Sequence, residues 1–100
     1  MRVFISQPMN GKTYDEIENE RKRAIEKVKI AYPDEDIYVI DNLFEEDYEI
    51  GNPMWCLGNS IELLSTADLA FFAEGWNNAR GCRIEFTCAC EYGIKFMMAI

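Results

Sequence analysis

Residues 69–73 read Leu-Ala-Phe-Phe-Ala, an unbroken apolar run that Glu74 and Gly75 follow directly. An apolar run of this length beside turn-forming residues is typical of a strand whose two faces are both buried. A second run of this kind, Val-Phe-Ile over residues 3–5, lies in a predicted strand over residues 2–6. Strands buried on both faces occur in parallel sheets that helices cover on each side. The two runs therefore predict an α/β protein.

Helical patterns separate the strand patterns along the chain. Thr13 and Glu16 form a capping box that begins the first helix, and Pro33 marks its end. Pro53 suits the first turn of a second helix, and Gly93 suits the position just after a third. The remaining predicted bounds are strands over residues 36–41 and 95–100, an end of the second helix at residue 66, and a third helix over residues 79–92.

The predicted order β-α-β-α-β-α-β indicates a single domain over residues 1–100. Right-handed crossovers between successive strands produce a parallel sheet with helices on both faces. We expect a flavodoxin-like (Rossmann-like) three-layer sandwich, with four parallel strands in the order 2-1-3-4. In open sheets of this type, ligands bind beyond the carboxyl ends of the strands. The loops that follow the strands are therefore the place to look for a site.

The charge of the chain restricts its partners. The 100 residues carry a formal net charge of −8, and nucleic-acid polymers bind basic surfaces, so we expect no nucleic-acid polymer as a partner. No apolar run approaches the roughly 20 residues of a membrane span, so we expect no membrane partner. A single nucleotide held by backbone amides is compatible with this charge.

Cysteine spacing and the absence of histidine restrict the chemistry. None of the four cysteines forms a Cys-x-x-Cys pair, so we expect no metal and interpret the cysteines as buried thiols in the reducing cytoplasm. Without histidine, Ser-His-Asp and Cys-His catalysis are excluded. Acid–base chemistry must come from carboxylates, Tyr, Lys or Cys, and we expect no cofactor.

Two loops after predicted strands contain more large and polar side chains than a plain turn requires. One covers residues 6–11, and the other covers residues 74–78, with a Trp ring and an Asn-Asn pair, and leads into the start of the third helix. Plain turns and solvated arginines are the alternative interpretation. Asp41, at the end of another strand, is an equally open candidate. The candidate ligand-binding residues are Ser6, Gln7, Pro8, Met9, Asn10, Gly11, Asp41, Gly75, Trp76, Asn77, Arg80 and Gly81.

Glu85 falls near the second turn of the third predicted helix. Helical side chains lean toward the N-terminus, so its carboxylate can reach the crevice at the strand ends, near the positive end of the helix dipole. A carboxylate there is a candidate nucleophile or a ligand for sugar hydroxyls. The alternative is an exposed Glu85, solvated or paired with Arg80 or Arg83. Glu91, six residues later, turns about 120° away and is expected to be exposed. We expect one pocket lined by Glu85, Arg80, Trp76, Gln7 and Asn10.

Three segments together resemble a family of short bacterial and phage proteins of unassigned function. The segments are residues 4–11, 55–68 and 75–85. The most specific string is Trp-x-x-Ala-Arg-Gly-Cys-x-x-Glu over residues 76–85. This resemblance covers nearly the whole chain. That family in turn resembles the nucleoside 2-deoxyribosyltransferase superfamily in pattern and fold.

The resemblance implies a role for Glu85. In the transferases, a Glu with a Gly four residues before it attacks the anomeric carbon, and Glu85 with Gly81 matches this pair. Two Asp residues of the transferases are replaced here by Ala79 and Ser60. The implied function is hydrolysis or transfer of the N-glycosidic bond of a small-molecule nucleoside or nucleotide, with Glu85 as catalytic nucleophile. The alternative, which the replaced Asp residues favour, is a non-catalytic nucleotide- or nucleotide-sugar-binding module that acts as a sensor or sequestering protein.

The thin core of a 100-residue chain also predicts self-association. Apolar Phe44, Met54 and Trp55 lie in or beside an otherwise acidic segment. We expect a homo-oligomer, at least a dimer, with residues 42–58 at or near the interface, as the resembled transferases also oligomerise. The alternative is a monomer in which this segment folds over its own site.

Overall fold

The predicted element order is confirmed over the part of the chain that the computed structural model describes, residues 1–43 and 52–99. A short 3-10 turn precedes the last helix. The bounds are β1 (Arg2–Ser6), α1 (Tyr14–Ala31), β2 (Tyr38–Val39), α2 (Pro53–Leu64), β3 (Leu69–Phe72), the 3-10 turn (Trp76–Asn78), α3 (Arg80–Glu91) and β4 (Phe96–Met98).

The two apolar runs lie side by side at the centre of the sheet. β1 pairs in parallel with β3, with Val3 opposite Leu69 and Ser6 opposite Phe72. β2 pairs with the other edge of β1, and β4 pairs with the other edge of β3, both in parallel. Among the described residues the order is therefore β2-β1-β3-β4, which confirms the predicted flavodoxin-like arrangement.

The side chains of β1 and β3 alternate between two hydrophobic clusters. On one face, Ile5 and Phe71 pack with Ala24 and Val28 of α1. On the other face, a second cluster contains side chains from β1, β3, α2 and α3. Its buried members include Phe4, Phe72, Leu64 and Ala89. Each central strand is thus covered on both sides, as its continuous apolar sequence predicts.

The first two helices begin where local chemistry predicts. The Thr13 hydroxyl accepts from the Glu16 amide at 3.2 Å, and the Glu16 carboxylate accepts from the Thr13 amide at 3.0 Å, which completes the capping box. Pro53 is the first residue of α2, and the side-chain oxygen of Asn52 accepts from the Trp55 amide at 3.0 Å. These contacts satisfy amides that the helices leave unpaired.

The second strand is shorter than predicted, two residues rather than the six of residues 36–41. Its last ladder contact runs from the Ile40 amide to the Val3 carbonyl at 2.8 Å. At the next position the side chain of Asn42, not its main chain, donates to the Ile5 carbonyl at 2.9 Å. The side-chain amide replaces the ladder contact, so regular pairing ends. The last strand is also shorter than predicted, and Ile100 lies outside the described residues.

The interpretation of all four cysteines as buried thiols is wrong. They are free, but only Cys82 is buried, Cys56 and Cys88 are half-buried, and Cys90 is exposed. Cys82 is buried because it lies on the stripe of α3 that faces the sheet, with Ala89.

Apolar side chains are exposed at the start of α2. Met54 and Trp55 are both exposed there, within the 42–58 segment that we expect at an oligomer interface. Phe44, named with them, lies outside the described residues, and the oligomer stays a prediction. Within residues 1–43 and 52–99, no helix combines the length and the apolar character needed to cross a membrane.

Candidate functional site

The carboxyl ends of β1 and β3 bring the two candidate loops together. The Ala73 amide donates to the Ser6 carbonyl at 2.8 Å, which extends the pairing by one step. Gly75 then adopts a φ of +83°, a conformation that favours glycine, and a Cβ built on it would lie 3.6 Å from Pro8. The loops over residues 7–12 and 73–79 are therefore in contact and form one surface at this edge.

Glu85 reaches this edge from α3 and is only 7% exposed. The Ser6 hydroxyl at the end of β1 donates to its Oε1 at 2.7 Å, and the Ser60 hydroxyl of α2 lies close enough to lower the pKa of this carboxyl. Burial raises the pKa of Glu85 from its ordinary 4.5 to about 7, and the two hydroxyl donors offset part of that rise. The alternative interpretation of Glu85 as a solvated side chain does not hold, because three elements enclose it.

The pKa of Glu85 makes the stability of the fold dependent on pH. The folded pKa of about 7 lies above the ordinary 4.5, so the folded chain binds more protons than the unfolded chain between these values. The stability that this group contributes is therefore full below pH 4.5 and is lost as the pH rises through 7. Between pH 5 and pH 8, wild type should lose roughly 2–3 kcal/mol of unfolding free energy relative to Glu85→Gln, which has no ionisable group there. Urea unfolding of both proteins at several pH values measures this difference, and parallel pH curves would contradict it.

Cys82 lies one turn before Glu85 and is a poor nucleophile. The pKa of its thiol is raised to about 11, chiefly by burial and in part by the charges of Glu85 and Glu20, while a hydrogen bond with Ser6 and the charge of Lys12 offset some of the rise. The thiol is therefore protonated at neutral pH, and thiolates rather than thiols are the reactive form. Glu20 of α1 and Glu85 of α3 are thus both close enough to this sulfur for their charges to affect its pKa.

Gln7 faces away from Glu85, so the expected pocket that contains both side chains is not formed. Its Nε2 donates to the Ile17 carbonyl of α1 at 3.0 Å, and its Oε1 accepts from Arg21 at 3.4 Å. Arg21 also donates to the Ile40 carbonyl at 2.6 Å. Successive residues of a strand point to opposite faces, so Ser6, not Gln7, connects β1 to Glu85. Gln7 instead holds α1 against the ends of β1 and β2.

The rest of the first loop forms a turn that precedes α1. Pro8 and Met9 are half-buried, while Asn10 and Gly11 are exposed. Gly11 has a φ of +77°, and the Lys12 amide donates to the Met9 carbonyl at 3.2 Å. The side chains of this turn lie at the same edge of the sheet. Contact between them and a ligand remains a prediction.

Trp76 of the second loop has a packing role. Its ring stacks on Phe86 with centroids 4.5 Å apart and lies 5.6 Å from the Phe72 ring, so much of it is taken up by the core. Asn77 is exposed, and its carbonyl accepts from Arg83 at 3.3 Å. Only the part of the Trp76 ring that stays exposed is left for contact with a ligand.

The start of α3 is open at this edge. Arg80, its first residue, is exposed, and among the described residues no side-chain hydrogen bond caps the helix at its N-cap residue, Ala79. A Cβ built on Gly81 would meet nothing within 4 Å among the described residues. The first turn of α3 therefore offers amides and space beside the buried Glu85.

Asp41 belongs to a different part of the surface. It is exposed and lines a cleft of about 510 Å³ beside α1, together with Tyr14, Arg21 and Lys22. Its charge favours the protonated form of Arg21, which places it on the α1 side of the sheet. The structure does not bring Asp41 to Glu85.

Three polar side chains at this edge were missed as candidates by sequence reasoning. Ser60 was named only as the replacement of an Asp, yet its hydroxyl lowers the pKa of Glu85. Glu20 pairs with Lys12 at 2.7 Å, and its other oxygen is buried without a partner among the described residues. Asn42 is 4% exposed, and its Oδ1 is likewise buried without a partner there. The one signal was polarity just after a strand, at Asn42.

The comparison with known proteins assigns no chemistry to the site. No protein-family model, curated protein or solved structure matches this chain. Within the described ranges, no group of three or more Cys, Asp or Glu side chains is arranged to hold a metal ion. The chemistry of the site therefore has to be argued from Glu85 and its neighbours.

Proposed function

We propose that this protein hydrolyses or transfers the N-glycosidic bond of a nucleoside or nucleotide, with Glu85 as the nucleophile. The observation that carries the proposal is the position of the Glu85 carboxylate, buried at the strand ends with the Ser6 hydroxyl 2.7 Å from its Oε1. A carboxylate held by hydroxyl donors keeps one orientation, and a fixed nucleophile is what attack at a single carbon requires.

The reaction proceeds in two steps, as in retaining glycosidases. A Glu85 oxygen attacks the anomeric carbon, the C–N bond breaks, and its electron pair leaves with the base, which takes up a proton. Water, or a second base, then attacks the same carbon and releases the Glu85 carboxylate, the attacking group losing its proton. With water the sum is nucleoside plus water giving free base and free sugar, so no oxidant or reductant is needed.

The electrostatics of the site suit an attacking group that must lose and regain charge. With a pKa of about 7, Glu85 is close to half ionised at neutral pH. The Ser6 and Ser60 hydroxyls favour the carboxylate, which is the attacking form. Arg80 at the exposed start of α3 and the adjacent free amides suit a 5′-phosphate when the substrate has one.

One observation favours a second candidate, a nucleotide- or nucleotide-sugar-binding module without catalysis. Two Asp residues of the resembled transferases are replaced here by Ala79 and Ser60, so carboxylates that the transferases have are missing. In such a module the protonated or ionised Glu85 would bind sugar hydroxyls and break no bond. The two candidates differ in one product, the free base.

A two-stage experiment tests the proposal. Nucleosides, nucleotides and nucleotide-sugars are first screened by thermal shift, since a ligand that binds the folded chain raises its melting temperature by mass action. Each ligand that binds is then incubated with the protein, and free base is measured by chromatography. We expect base release from at least one ligand. Binding without base release would favour the second candidate, and no binding by any ligand would contradict both.

A further inference from the structure

Asn42 occupies an unusual position at the carboxyl end of β2. Its side chain is 96% buried, and its Nδ2 donates to the Ile5 carbonyl at 2.9 Å. That contact fixes the orientation of the amide, because a carbonyl accepts only from the nitrogen and not from Oδ1. The contact with Ile5 therefore identifies which side-chain atom is the nitrogen. The other atom, Oδ1, takes no part in that contact.

The Asn42 Oδ1 is buried and has no hydrogen-bond partner among the described residues. Buried polar atoms are nearly always hydrogen-bonded, because leaving one unpaired costs the desolvation of that atom. An acceptor kept buried and unpaired at a strand end is an open position for a donor. In sheets of this type ligands arrive at that edge.

Asn42 and Glu85 are linked through a single peptide unit of β1. Asn42 contacts the Ile5 carbonyl, and Ser6, the next residue, donates to the Glu85 carboxylate at 2.7 Å. Ile40, two residues before Asn42, packs in the cluster between the sheet and the α2–α3 layer, which is the side on which Glu85 lies. Residues two apart along a strand share a face, and continuation of this pattern just past β2 puts Asn42 on the side of the sheet on which Glu85 lies.

We propose that the Asn42 Oδ1 is a specificity-determining acceptor of the Glu85 site, which accepts a hydrogen bond from the bound nucleoside or nucleotide. This inference rests on the proposed function. The group it reads is a neutral donor, either a hydroxyl of the sugar or an N–H of the base. A site built around a buried acceptor binds poorly to an analogue that lacks the donor, since the acceptor is then left unpaired.

Ligand pairs that differ by one donor test the proposal. Ribonucleosides are compared with their 2′-deoxy and 3′-deoxy forms for the sugar, and adenosine is compared with purine riboside, which lacks the amino group, for the base. In wild type, removal of the donor that Asn42 reads is expected to raise Kd about tenfold. In Asn42→Ala, removal of the same donor is expected to change Kd less than twofold. The ligand pair whose Kd ratio falls toward one in Asn42→Ala shows whether the donor that Asn42 contacts belongs to the sugar or to the base.

The controls separate this role from a structural one. Asn19→Ala removes an exposed amide on α1 and should keep the wild-type ratios. If Asn42→Ala does not fold, Asn42→Ser, which keeps a hydroxyl near Ile5, is measured on the same pairs with the same expectation. Equal weakening of every ligand, or ratios that persist in the variant, would overturn the inference and leave the proposed function intact. Absence of binding by wild type would overturn both.

Discussion

Glu85→Gln is expected to reduce base release by at least about a thousandfold while the chain still folds and binds ligand. Gln has the shape of Glu, so it can occupy the same buried position and accept from Ser6. Its amide oxygen carries no charge and cannot form the glycosyl ester, so the first step stops. Single-turnover base release measures the loss, and circular dichroism with ligand thermal shift verifies fold and binding.

Glu91→Gln is the matched control, because Glu91 lies on the same helix and is exposed. The control should retain base release within about twofold of wild type, since a screened surface charge has little effect on a buried site. Base release that persists in Glu85→Gln would exclude Glu85 as the nucleophile, whatever the control shows.

Phe72→Ala is expected to lower the free energy of unfolding by about 3–5 kcal/mol. Phe72 is fully buried in β3, and its ring lies 5.2 Å from that of Phe86 and 5.6 Å from that of Trp76. Truncation removes the apolar contacts of a whole ring and leaves a cavity at the centre of the α2–α3 face. Urea unfolding measures the loss, and a small domain with only about 5–15 kcal/mol to lose would be near its limit.

Phe96→Ala provides the comparison within the same aromatic cluster. Its ring is 6.2 Å from Phe72 on the edge strand β4, and 38% of the residue is exposed. Its truncation should cost no more than about half as much, because less apolar surface returns to water. Equal losses for the two variants would contradict the assignment of Phe72 to the centre of this core.

The fold could be predicted because its signals are local. The apolar run over residues 69–73 and the Thr13–Glu16 capping box each specify one element without reference to distant residues. Glu85 could be assigned to the strand edge for a similar reason, since helix periodicity and the lean of helical side chains fix its direction. Each of these features depends only on residues within about two helical turns of it along the chain.

The face of each residue at the end of β1 could not be predicted. A strand that is buried on both sides has no alternation of polar and apolar residues, so nothing distinguishes the direction of Ser6 from that of Gln7. The roles of Asn42 and Ser60 depend on contacts with Ile5 and Glu85 that are distant in sequence. Such contacts exist only once the layers have packed, and composition and spacing carry no trace of them.

The position of β1 between β2 and β3 has a consequence for synthesis of the chain. The central strand β1 leaves the ribosome well before its partner β3, which begins 66 residues after Val3, at Leu69. Until then, the apolar run in β1 can gain only the short pairing with β2 and the packing of α1 against one of its faces. Contacts of such sequence separation form late and slowly, so a nascent chain that ends before β3 leaves one edge of an apolar strand unpaired, and chaperones recognise exposed apolar segments of this kind.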